Sequence, residues 1–175
     1  MTLARFVLQI EPSIAAFAIR GSRNALEIVA VEIARDRAAV AALAAACRRD
    51  DGPSVQVSAA GLVGELSSRP GREVRGWLAW STETGTAAER AQIGDCPMGL
   101  VTLVASSPSS GGTACRFSIG WLIVHPQARR RGVARALVKH ALHHAQAGGA
   151  VAVSADTRAD WPVAVAFWQA LEGKR

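Results

Sequence analysis

The 175-residue sequence predicts an α/β domain, and three observations carry that prediction. Residues 116–171 alternate strand, helix, strand, helix at the lengths of a βαβ unit. Upstream, Val74–Ser81 and Met98–Ala105 are apolar runs of strand length separated by a polar, glycine-containing stretch. Half the residues are hydrophobic and 19% are charged, which places the chain among globular proteins with a substantial core.

The elements follow in order. Leu3–Ile10 and Ile14–Ile19 flank the turn signal Glu11-Pro12-Ser13 and predict a β-hairpin. Ala25–Ile33 fits either a strand or the start of a helix. Asp36 reads as an N-cap, and Val40, Leu43 and Cys47 share one face of a helix over 37–49. Asp50-Asp51-Gly52-Pro53 ends it. Residues 54–71 read as a weak strand and a turn at Arg69-Pro70-Gly71. Val74–Ser81 carries Trp77 and Trp80, three apart and so on opposite faces. Residues 82–96 read as a loop, and Ser106–Gly112 as a turn. Arg116–Val124 is a strand, and 131–147 a helix stopped by Gly148-Gly149. Ala150–Ala155 is a strand, and Trp161–Leu171 a helix with Pro162 in its first turn.

The net charge of +6 favours anionic partners: a phosphorylated cofactor, nucleic acid or an anionic membrane surface. Cys47, Cys96 and Cys115 are odd in number and lack CxxC spacing, which argues against a disulfide framework and a zinc site and for reduced thiols in a cytoplasmic protein. No segment has the apolar length of a membrane span, and residues 1–20 lack the pattern of a secretory signal. His140, His143 and His144 have a spacing that can bind metal, but no carboxylate or cysteine stands nearby in sequence, so the expectation is a solvated face and no metal.

The stretch that carries chemistry runs from Phe117 to Val138. A strand leads through a loop into a helix whose first turn holds Gly132. A helix N-terminus leaves backbone N–H groups unpaired and carries partial positive charge, and a phosphate satisfies both. Gly132 lets backbone approach a ligand, Ala134 keeps the next inward position small, and Arg129, Arg130 and Arg131 add charge beside the anion.

Arg129-Arg-Arg-Gly132-Val-Ala134 resembles motif A of the GNAT superfamily of N-acetyltransferases, Arg/Gln-x-x-Gly-x-Gly/Ala. Val124-His-Pro126 matches the Val-x-Pro that leads into that motif, and the strand at 150–155 and the Ala164–Trp168 helix extend the likeness. The match is clearest over 74–171 within one domain spanning 1–175, and residues 1–25 have no clear counterpart and read as an extra N-terminal hairpin. The resemblance implies a mixed, mostly antiparallel central sheet with flanking helices, in which the 117–124 strand splays from the 150–155 strand. It implies acetyl-CoA as cosubstrate, with pantetheine along Leu122, Ile123 and Val124 and pyrophosphate at Arg129, Arg130, Arg131, Gly132, Val133 and Ala134. A backbone N–H near Val124 would polarise the thioester.

Three departures accompany the likeness. Ser118 stands where many members place a glutamate base, although an alkylammonium, with a pKa of about 10.4, must lose a proton before attack. Trp168 stands where many place a tyrosine acid, and the chain has no tyrosine; its implied role is packing against core or cofactor. Members also add two strands after the last helix, which residues 172–175 do not supply. The expectation is that the N-terminal hairpin stands beside the 150–155 strand; a homodimer exchanging strands and a truncated edge are the alternatives. Asp156, with Thr157 after that strand, is a candidate base or ammonium anchor, against a turn or capping role, and Ser118 is the other catalytic candidate, as the holder of a relay water. His125 reads as a positioning or exposed residue. The expected function is N-acetyl transfer to a small-molecule or protein amine, with a non-catalytic coenzyme-A-binding module as the alternative. Nucleic-acid binding is disfavoured by the lack of interleaved exposed aromatics.

Overall fold

Six strands join in one sheet among the residues that the computed structural model describes, 2–10, 26–51, 58–67, 70–82, 96–106 and 116–173. Chain order is β1 (Leu3–Gln9), β2 (Leu26–Ala30), α1 (Ile33–Asp51), α2 (Ala59–Glu65), β3 (Arg72–Ser81), β4 (Gly99–Ser106) and β5 (Arg116–Val124). A 3-10 turn (Pro126–Ala128), α3 (Val133–Ala147), β6 (Ala152–Arg158) and α4 (Pro162–Glu172) follow. The sheet order is β1-β6-β5-β4-β3-β2. All neighbours are antiparallel except β5 and β6, which the helical crossover α3 forces to be parallel. The sheet is therefore mixed and mostly antiparallel, as the resemblance implies.

Helices cover both faces. On one, α3 and α4 pack Val133, Leu137, Ala141, Ala145 and Trp168 against Phe6, Leu8, Trp77, Val101, Leu103, Ile119 and Val153. On the other, α1 and α2 pack Val40, Leu43, Cys47 and Leu62 against Leu78, Leu100 and Ile123. Side chains as buried as Leu43, Leu62, Leu100 and Leu137 each contribute about 1.5–3 kcal/mol. Trp77 and Trp80 fall on opposite faces, as their spacing predicts.

Several elements depart from the sequence reading. Residues 59–65 form a helix rather than part of a weak strand. Gly61 and Gly64 lower its intrinsic propensity, but the Ser58 hydroxyl accepts the Gly61 N–H at 2.9 Å and Leu62 is fully buried, so capping and packing win. Helix α1 begins at Ile33, placing Asp36 in its first turn. From there the carboxylate reaches back to accept the Glu32 N–H at 2.9 Å, a cap applied from inside the helix.

The first strand of the predicted hairpin stands beside β6, paired from Leu3↔Arg158 to Gln9↔Ala152. Its predicted partner Ile14–Ile19 lies outside the described residues, as do residues 83–95 and 107–115. That pairing carries β6 to Arg158, so Asp156 and Thr157 lie within the strand rather than after it. No helix among the described residues is long and apolar enough to cross a membrane.

Candidate functional site

Strands β5 and β6 pair only at Phe117↔Val153, Ser118↔Ser154 and Ile119↔Ala155. Beyond Ile119, β5 continues along β4 while β6 continues along β1, so the two part from Gly120 onward. A bulge marks the same place: Gly120 and Trp121 together stand opposite Thr102, between the pairs Leu103↔Ile119 and Val101↔Leu122. The Trp121 N–H donates to the buried Thr102 hydroxyl at 2.7 Å.

The extra residue shifts the side-chain phase of β5. Phe117 and Ile119 pack toward α3, and so do Leu122 and Val124, while Trp121 and Ile123 pack under α1. Simple alternation places Trp121 with Phe117 and Ile119, and Ser118 and Gly120 with Leu122 and Val124; the bulge overturns both groupings. With Trp121 N–H turned to β4 and Ile123 paired with Leu100, the backbone groups of Leu122 and Val124 point to the side from which β6 has parted. The Val124 carbonyl accepts from the Cys47 thiol at 3.6 Å and from Arg129 Nε at 3.4 Å.

The strand then enters the basic turn. His125 is buried; its N–H donates to the Met98 carbonyl at 2.9 Å and its Nδ1 accepts the Gln127 N–H at 3.3 Å, a positioning role. Arg130 has φ 64° and Gly132 φ 84°, both left-handed. Such residues among right-handed and extended ones turn successive N–H groups into a concavity that suits anions. Gly132 is also the N-cap of α3, with no side-chain cap. The first intrahelical bond runs from Ala136 N–H to the Gly132 carbonyl, so helix geometry leaves the amides of Val133, Ala134 and Arg135 without intrahelical acceptors. Val133 anchors the turn in the core while Arg130, Arg131 and Gly132 are exposed at the rim. A Cβ built on Gly132 meets nothing within 4 Å, so its requirement is conformational and the space before it is open.

The opposite face of the opening, toward α1 and α2, carries Ser118, Gly120, Ser154 and Asp156 by strand alternation. Ser118 and Ser154 are cross-strand neighbours. Asp156 is bound by Arg5 through two bonds of 2.8 and 3.0 Å. The Arg5 hydrogen bond, outweighing desolvation, holds the Asp156 carboxyl below its ordinary range, which makes it a weaker base. A further carboxylate has no signal in the sequence, because it sits in the stretch read as a weak strand. Glu65, the last residue of α2, pairs with Arg72 and is partly buried. A Cβ on Gly120 would stand 2.8 Å from Glu65 Oε1 and 2.8 Å from Thr102 Oγ1, so the bare glycine is what lets that carboxylate lie over the bulge.

Trp168 is buried in the α3–α4 core, edge-on to Phe167 at 5.0 Å. His140 and His144 differ from the expected solvated face: both are partly buried against Trp77, with ring centroids 5.3 and 4.6 Å away, and only His143 is exposed. No group of residues suited to a metal ion occurs among the described residues.

A family model described as acetyltransferase (GNAT) family matches residues 56–172. No curated protein sequence matches significantly. Among solved structures, the chain is similar to a GCN5-related glucosamine N-acetyltransferase region of a fungal multi-domain β-N-acetylglucosaminidase, at 16% identity and TM-score 0.63. That match covers 85% of this chain but only 17% of the fungal one. It is similar to an aminoglycoside N-acetyltransferase in complex with CoA, at 12% identity and TM-score 0.57 over 91% of this chain and 93% of that one. It is also similar to a ribosomal-protein-alanine N-acetyltransferase from Brucella melitensis biovar Abortus 2308, at 14% identity and TM-score 0.58 over 86% and 93% of the two chains.

Proposed function

The chain belongs to the acetyltransferase (GNAT) family, and from that premise we propose that it transfers the acetyl group of acetyl-CoA to a primary amine, of a small molecule or a protein, by direct attack. One observation carries the reading: β5 parts from β6 just before a turn whose left-handed residues and uncapped helix end gather amide donors beside three arginines. The thioester supplies the acyl group and a thiol leaving group. The amides of Gly132, Val133 and Ala134 receive the pyrophosphate, and Arg129, Arg130 and Arg131 balance its charge. Leu122 and Val124, on either side of Ile123, offer the pantetheine arm a backbone edge, as a missing strand would occupy it. Of the two backbone N–H groups that face the opening, that of Leu122, two residues past Gly120, polarises the acetyl carbonyl and stabilises the oxyanion that forms on attack. Held this way, the thioester meets the amine at high effective concentration, and positioning contributes much of the rate.

A second reading, coenzyme binding without efficient turnover, is favoured by Ser118 at the usual base position and by Trp168, a core indole that cannot give up its proton at the usual acid position. Calorimetric titration with acetyl-CoA tests binding, and thiol release in the presence of small amines and N-terminal peptides tests transfer. Binding with amine-dependent thiol release supports the transferase; binding without it favours the second reading; no binding overturns both.

A further inference from the structure

We propose that Glu65 is the carboxylate that receives the acceptor's ammonium group and takes up its proton before attack, a role that rests on the transferase reading. Ser118 cannot serve as a base by itself, and Asp156 is engaged by Arg5 through both oxygens. The geometry offers Glu65 instead. Gly120 is the first residue of β5 past its last pair with β6, so it marks the start of the opening. Glu65 Oε1 stands over that residue, beside Thr102, on the face toward α1 and α2. With the coenzyme's pyrophosphate at the start of α3, on the other face, an amine reaches the thioester from the side on which Glu65 lies.

The surroundings suit the role. Arg72 fixes the carboxylate through one bond to Oε1, and a carboxylate has about four acceptor positions. The Glu65 side chain is 23% exposed against 37% for Asp156, so its attraction for a cation is less screened. In the reaction the ammonium gives one proton to Glu65, and the neutral amine attacks the acetyl carbon. The C–N bond forms, the C–S bond breaks, and the departing thiolate takes the second amine proton. Glu65 then returns its proton to water.

The test needs no knowledge of the natural acceptor. S-(2-aminoethyl)-CoA places an ammonium where the amine would stand, and S-propyl-CoA is its neutral counterpart of equal size. Calorimetry on the wild-type chain is expected to show about tenfold or greater preference for the ammonium-tailed compound, the size of a charge-assisted hydrogen bond. Glu65→Gln should erase that preference and leave affinity for S-propyl-CoA unchanged. Gly120→Ala, whose added methyl displaces the carboxylate, should also erase it. Circular dichroism serves to check that both variants fold. Absence of preference in the wild type, or its survival in Glu65→Gln, overturns the role of Glu65 while leaving coenzyme binding intact. Failure of both compounds to bind the wild type overturns the transferase reading and the inference with it.

Discussion

The Thr102 hydroxyl accepts the backbone N–H of Trp121 at 2.7 Å, and that bond sits where β5 changes face. Before it, Ile119 packs toward α3; after it, Leu122 and Val124 do so, while Trp121 and Ile123 turn under α1. The same point is where β6 leaves β5. One buried side-chain acceptor thus stabilises the bulge at the mouth of the opening.

Thr102→Val keeps the side chain's shape and leaves the Trp121 N–H without that acceptor. The expected loss is about 1–3 kcal/mol of unfolding free energy, read from urea denaturation. A variant as stable as the wild type would show that the bulge does not depend on this bond.

Trp168→Ala should cost about 3–5 kcal/mol, because the indole fills the α3–α4 core. Trp168→Phe should cost less. Thermal and urea unfolding of the two variants measure the difference; equal, small losses would mean that the indole is not a core anchor.

Acid should destabilise the fold through His140 and His144. Burial, then the neighbouring His144 and His143, lowers the His140 pKa; burial, then Arg75 and His143, lowers that of His144. The rings face Trp77 of β3, with Arg75 on the same strand. Both histidines start from an ordinary value of 6.5. Because their folded values lie below it, the unfolded chain takes up protons first. Stability is therefore full above the ordinary value and falls as pH drops through it toward the lower folded values. The melting temperature should fall between about pH 8 and about pH 5, and His140→Gln with His144→Gln should flatten part of that slope. An unchanged slope in the double variant would place the acid sensitivity elsewhere.

Asp156→Asn should change stability by no more than about 1 kcal/mol, since its pair with Arg5 is exposed. Little loss of transfer is expected with it. A fall of about a hundredfold or more, the size of a lost general base, would return that role to Asp156.

The βαβ unit and the arginine–glycine turn were legible in the sequence because local chemistry dictates them. Period-two runs end in a basic loop, and Gly132 stands where the backbone turns left-handed. Helix α2 was not legible, since Gly61 and Gly64 mask it and only the burial of Leu62 reveals it. The bulge at Gly120-Trp121 was hidden because one inserted residue leaves no compositional mark, yet it reverses which side chains share a face. Glu65 depends on tertiary placement alone: nothing near it in sequence shows that α2 ends over β5. The place of β1 beside β6 is likewise a long-range outcome, anticipated only from the need of an inner strand for a partner.

The most direct test of the coenzyme cradle is calorimetric titration of acetyl-CoA into the wild-type chain and into Gly132→Glu. The substitution puts bulk and negative charge where the pyrophosphate would lie, at a left-handed position that also disfavours a side chain. The wild type should bind, and the folded variant should lose affinity by roughly a hundredfold or more, since like charges in contact cost several kcal/mol. Equal affinity in a folded Gly132→Glu variant would contradict the assignment of the pyrophosphate to the start of α3.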